Sequence, residues 1–225
     1  MMPMAILSNE ARLDGDTGTT KNRDARPMAE LSFWYDFAST YSYVSAMRIE
    51  RVAAVAGVNV RWRPFLLGPL FMEQGWRDSP FNIYPAKGRY MWRDLERLCA
   101  KEGLAFRRPS TFPRHSVLAA RVALVAEQEG WCSQFTPAAF AANFAKDRDI
   151  AEPATLADIL EECGQPADTV LARATADETR SGLRLQIEEA KRLGIFGAPS
   201  FIVGDELFWG NDRLDDAIAW AERQR

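Results

Sequence analysis

The chain has 225 residues, 47% hydrophobic and 26% charged, enough for a sizeable core in one large domain or in a domain carrying an insertion. A formal net charge of −3 argues against general nucleic-acid binding, which needs a concentrated basic surface, and no apolar run approaches the length of a membrane span. The three cysteines, Cys99, Cys132 and Cys163, form no CxxC and sit near no second type of metal ligand, so they predict core thiols in a reducing, cytoplasmic compartment and no metal site.

Residues 1–28 are polar, rich in Asp, Thr and Asn, and lack the apolar centre of a secretory signal. They predict a disordered N-terminal extension without chemistry. Residues 31–35 then read as a strand, apolar or β-favouring except for Ser32. Tyr41, Val44, Arg48, Val52 and Val55 follow at helical spacing, and Gly57 ends the helix. At the junction, Ser39 or Thr40 is placed to cap the helix, among backbone N–H groups that lack intrahelical acceptors and carry the positive end of the helix dipole. Residues 58–64 alternate as a second strand, completing a βαβ unit whose right-handed crossover makes the strands parallel.

From residue 67 to about residue 190 helical periodicity takes over. A turn leads into a short apolar helix near Leu70, and Gly75, Pro80 and Pro85 punctuate a loop. A helix over 87–102 places Tyr90, Met91, Leu95 and Leu98 on one face. Further helices are predicted before Gly130, across 131–147, around Leu156, and once or twice between Asp168 and Leu193. Strand character returns at 199–203, turns at Gly204-Asp205 and resumes at 206–209 as a hairpin, before Gly210-Asn211-Asp212 opens a last helix. The two β-containing ends flanking a helical middle predict one discontinuous α/β core with an all-helical insertion.

A serine at a strand-to-helix turn raises the question of a nucleophile. The esterase elbow needs Gly-x-Ser-x-Gly and a histidine, whereas Ser39 is flanked by Phe37-Ala38 and Thr40-Tyr41, and the single histidine, His115, reads as a surface or capping residue. Two readings of Ser39 remain: a plain N-cap, or a hydroxyl that donates to a thiolate brought by a cofactor.

Several spaced motifs carry a resemblance: Phe33-Trp34-Tyr35-Asp36-Phe37-Ala38-Ser39, Arg63-Pro64-Phe65-Leu66-Leu67-Gly68, Pro85-Ala86-Lys87-Gly88-Arg89-Tyr90, Gly197-Ala198-Pro199-Ser200-Phe201 and Phe208-Trp209-Gly210-Asn211-Asp212. In this order, from about Ala29 onward, the chain resembles the 2-hydroxychromene-2-carboxylate isomerase family, related to kappa-class glutathione transferases and to DsbA-like thioredoxin folds. The resemblance implies a thioredoxin-like domain over 29–66 and 191–225, interrupted by a helical insertion over 67–190. It implies glutathione bound where a redox relative carries CxxC. Here that stretch is Ser39-Thr40-Tyr41-Ser42, so disulfide exchange through an intramolecular cysteine pair is excluded.

By the same resemblance Ser39 stands beside the glutathione sulfur and is the catalytic residue. Ala198 and Pro199 form the loop, with a cis proline, that pairs with the cysteinyl backbone. Asn211 and Asp212 hold the γ-glutamyl end, and Lys87 suits a glutathione carboxylate. The bland alternatives are a turn proline at 199, an N-cap at Asn211 and a solvated lysine at 87. The family often has proline after the serine, whereas Thr40 stands here and is itself able to cap the helix. The implied activity is glutathione-dependent isomerisation of a small aromatic carboxylate by a homodimer, with a conjugating transferase or a non-catalytic thioredoxin-fold binding module as alternatives. The aromatic residues near Trp34, Tyr41 and Tyr43 and around Phe71, Trp76 and Phe81 are candidate walls of a substrate pocket, with core packing the default for each.

Overall fold

The computed structural model describes residue 1 and residues 29–224; the extension expected at the N-terminus lies outside the described residues. Strand β1 (Glu30–Tyr35) leads through a tight turn into α1 (Thr40–Ala46) and α2 (Ile49–Ala56), and β2 (Asn59–Pro64) returns beside β1. The strands run parallel, Phe33 opposite Trp62, as the βαβ reading requires. β3 (Ser200–Val203) and β4 (Glu206–Trp209) form the C-terminal hairpin, and β3 pairs antiparallel with β1. The sheet order is β2-β1-β3-β4, which puts β1 at the centre.

Being central, β1 is buried on both faces. Leu31, Phe33 and Tyr35 point into the larger apolar cluster and Trp34 into a smaller one with Phe65, Leu70 and Ile187, the alternation expected of a pleated strand. Each such large side chain contributes about 1.5–3 kcal/mol by leaving water. The chain closes with a single turn of 3₁₀ helix (Asn211–Arg213) running into a terminal helix (Leu214–Arg223).

Eight helices lie between β2 and β3: α3 (Leu67–Glu73), α4 (Pro80–Ile83), α5 (Pro85–Glu102), α6 (Val117–Glu129), α7 (Cys132–Phe144), α8 (Pro153–Glu162), α9 (Ala167–Thr175) and α10 (Asp177–Arg192). The terminal helix is thus α11. Phe135 and Phe140 of α7 and Val122 of α6 join the same cluster as Phe33 and Phe201, so the helices share one core with the sheet. Among the described residues no helix is long and apolar enough to cross a membrane.

Three expectations need correction. The helix expected from Tyr41 to Val55 is two helices, because the Arg48 N–H bonds the Ser45 carbonyl three residues back and the chain is re-phased. Ile49, Ala53 and Ala56 consequently face the core while Val55 is 88% exposed. Pro80–Ile83, expected as loop, is helical because Pro80 takes the first helical position and Ser79 caps the Phe81 N–H (3.3 Å). Tyr90 is 62% exposed rather than core-facing, since the buried stripe of α5 runs through Met91, Leu95 and Cys99 at intervals of four. Gly88 opens that stripe, where a Cβ would meet the Phe81 carbonyl oxygen at 2.2 Å.

Candidate active site

The turn between β1 and α1 is held by Asp36, buried to 3% exposure. Its Oδ1 accepts from the Ala38 N–H (2.9 Å) and the Ser116 hydroxyl (2.6 Å), and its Oδ2 from the Leu67 N–H (2.8 Å). One carboxyl thereby ties the turn to the starts of α3 and α6. Burial pushes its pKa up, with the three hydrogen bonds opposing that shift.

Ser39 is the N-cap. Its Oγ accepts from the Ser42 N–H (3.2 Å) and donates to the Ala198 carbonyl (3.0 Å), across 159 residues of sequence. Thr40 does not compete for the cap: its hydroxyl is buried and has no hydrogen-bond partner among the described residues. Because α1 has only seven residues, the polarity of this turn rests on hydroxyl and backbone groups more than on a helix dipole.

The Ala198–Pro199 peptide is cis. The Gly210 N–H donates to the Pro199 carbonyl (2.9 Å), which draws the start of the last helical segment against this loop. Asn211 is buried, its Oδ1 accepting from the Ser45 hydroxyl (2.9 Å). Its amide N–H groups remain as donors. Asp212 is exposed and paired with Arg213 (3.2 Å). Ala198, Pro199, Asn211 and Asp212 line one cleft of about 580 Å³, together with Tyr41, Asp94 and Trp209. Trp209 lies against Gly197, where a Cβ would meet its indole nitrogen at 2.3 Å.

Ser39 borders this cleft through its bond to Ala198. Lys87 is exposed on the first turn of α5, 5.4 Å from the Tyr84 ring, and is not part of the cleft lining. The Tyr41 hydroxyl donates to Asp94 (3.0 Å), and burial followed by that bond raises the Tyr41 pKa.

A second cavity, about 450 Å³, lies on the other side of the turn. Asp36 and Ala38 line it, with Leu66 and Leu67, the Phe71–Trp76 ring pair (5.5 Å), and the cationic or hydrogen-bonding side chains Arg77 and His115. Sequence reasoning missed Asp36, Arg77 and Asp94. Their signals are ordinary, single polar residues in a turn, a loop and a helix, and only their convergence distinguishes them.

Burial pushes the Cys99 and Cys132 thiols up to about 11, so neither is a thiolate near neutral pH. No cysteine lines either cavity.

A model of the DsbA-like thioredoxin domain matches residues 30–218. The chain belongs to the DsbA-like thioredoxin family. This DsbA-like chain is 28% identical over 186 residues to the 2-hydroxychromene-2-carboxylate isomerase of Sphingobium xenophagum, covering 82% of this chain and 94% of that protein. It is 23% identical over 199 residues to glutathione S-transferase kappa 1 of Rattus norvegicus, covering 82% and 87%. Among solved structures, a 2-hydroxychromene-2-carboxylate isomerase shares the fold with a TM-score of 0.79 at 21% identity, over 87% of this chain and 95% of that one. The relatives are thus an isomerase and a glutathione transferase, and the turn from β1 into α1 here reads Ser39-Thr40-Tyr41-Ser42, without cysteine.

Proposed function

We propose that this protein is a glutathione-dependent isomerase of a small aromatic carboxylate of the 2-hydroxychromene-2-carboxylate type. The observation that carries the reading is the Ser39 hydroxyl, held between the Ser42 N–H and the carbonyl of Ala198, a residue that lines a cleft with Asn211 and Asp212. The residues fit glutathione. The cleft volume lies within the roughly 300–1,000 Å³ of small-ligand sites, and Asn211 presents amide donors while Asp212 and Arg213 present opposite charges for a ligand end bearing both an amine and a carboxylate.

Bound glutathione supplies a thiol whose reversible addition to a conjugated double bond permits rotation and then regenerates the free thiol. The chain's part is to hold and polarise. Ser39 has one proton to donate, now given to the Ala198 carbonyl, and rotation of the hydroxyl redirects it to a sulfur while its oxygen still accepts from Ser42. Asn211 and Asp212 fix the far end of the tripeptide, and the Ala198 backbone borders its middle.

The S. xenophagum relative supports isomerisation, and the kappa transferase relative supports glutathione. Conjugation with release of the adduct is the second reading, favoured by the same transferase relative. Mass spectrometry of products formed from a hydroxychromene carboxylate with glutathione separates them. Isomerisation yields a product of unchanged mass and undiminished glutathione; a stoichiometric thioether establishes the transferase instead.

A further inference from the structure

We propose that the cavity beside Ala38 seats the aryl carboxylate substrate, its ring against Phe71, Met72 and Trp76 and its carboxylate met by Arg77 and His115. This inference rests on the aromatic-carboxylate reading above and adds the residues that choose the acid. Both cavities touch the Ser39 turn, one through Ala38 and the other through Ala198, which accepts the Ser39 hydroxyl. Ser39 lines neither cavity itself; it stands between Ala38, which lines one, and the Ala198 carbonyl, which borders the other.

The charges of the second cavity divide into those already engaged and those left over. Arg114 is held by Asp147 and by the Asn143 side chain (3.0 Å), and its guanidinium is buried. Asp36 has both oxygens occupied by three donors. Asp78 accepts from the Ser79 N–H (2.6 Å) and from the Asn82 amide (3.1 Å). Arg77 and His115 are exposed and make no side-chain hydrogen bond or ion pair among the described residues. An arginine fork and an imidazole N–H are the donors that a carboxylate takes in a planar, bidentate manner, and an apolar wall beside them suits an aromatic ring. His115 thus moves from a surface histidine to a residue that selects substrate.

The test is calorimetric titration of the full chain with cinnamate and with its uncharged counterpart cinnamamide, in wild type, Arg77→Gln, His115→Gln and Gly68→Leu. Gly68 lines the same cavity, and a Cβ there meets no atom within 4 Å, so the larger side chain has room to enter the cavity. Wild type is expected to bind cinnamate about tenfold or more tightly than cinnamamide, the size of a charge-assisted hydrogen bond. Arg77→Gln and His115→Gln are expected to bring the two ligands together by weakening cinnamate alone, and Gly68→Leu to weaken both. Met72→Trp serves as a second cavity-filling variant if Gly68→Leu melts at lower temperature. Equal binding of acid and amide in wild type, or a preference untouched by both substitutions, overturns the assignment. Glutathione is titrated separately into each protein: its failure to bind breaks the proposed function, whereas its binding alongside an indifferent cinnamate titration breaks only this inference.

Discussion

The two sides of the Ser39 turn are built by different means. The cleft at Ala198, Pro199 and Asn211 joins the polar C-terminal run Asn211, Asp212 and Arg213 to the rings of Tyr41 and Trp209. The cavity at Ala38, Phe71 and Trp76 sets an apolar wall from α3 and the loop after it against charged and polar side chains, Arg77 and His115 among them, and reaches back to Asp36 in the β1–α1 turn. On the proposed function the first wall serves the thiol cofactor and the second the aromatic substrate. Asp36 joins the two, since the same carboxyl orders the turn, α3 and α6.

The largest effect is expected from removing that join. Asp36→Ala leaves three buried or partly buried donors without their acceptor and should cost about 3–5 kcal/mol in urea unfolding. Asp36→Asn keeps one acceptor and should cost less. A pH series adds a sign. Because burial raises the Asp36 pKa in the folded state, protonation favours folding, so its contribution is fully present below the unfolded value of about 3.9 and is lost as pH rises through the folded value. Wild type should therefore lose stability relative to Asp36→Asn as pH rises across that interval; a difference that grows in wild type's favour contradicts the burial argument.

Ser39→Ala should lower kcat about 100- to 1,000-fold, the effect of deleting one donor aimed at developing charge, and cost only about 1 kcal/mol of stability as a lost N-cap. Steady-state kinetics beside thermal melting distinguishes the two: a proportionate loss of both would reduce Ser39 to a cap. Asp212→Asn should weaken glutathione binding about tenfold with stability unchanged, measured by titration at constant salt. Smallest of all, replacing Cys99, Cys132 and Cys163 together by alanine should leave turnover within about twofold. A large loss would point to a cysteine role that their burial and raised pKa values oppose.

The contrast between the cavities also explains what was legible in sequence. β1, the hairpin and the βαβ unit were readable because their signals are local: alternation in 58–64, Gly204-Asp205 between two short apolar runs. Ser39, Ala198, Pro199 and Asn211 were reached through motifs, each compact. Of the second cavity only the aromatic wall, Phe71 and Trp76, was readable, as a candidate beside the default of core packing; Arg77 and His115 had no signature. Phe71 lies in α3, Trp76 and Arg77 in the loop after it and His115 just before α6, and an isolated histidine or arginine in a loop has no pattern until tertiary packing supplies its neighbours. The break at Arg48 was hidden for the same reason: its guanidinium is drawn to Glu102 (3.2 Å) and Asp215 (2.7 Å), partners more than fifty residues away. Lys87 shows the reverse case, a motif match whose side chain lies over Tyr84 outside the cleft lining.

The most direct test of the account is the ionisation of glutathione on the protein, followed by thiolate absorbance near 240 nm across pH. A free thiol titrates at about 8.5. The account predicts that glutathione bound to wild type ionises at clearly lower pH and that Ser39→Ala returns it toward the free value. Bound glutathione that titrates like the free thiol, in wild type and variant alike, would contradict the role given to Ser39.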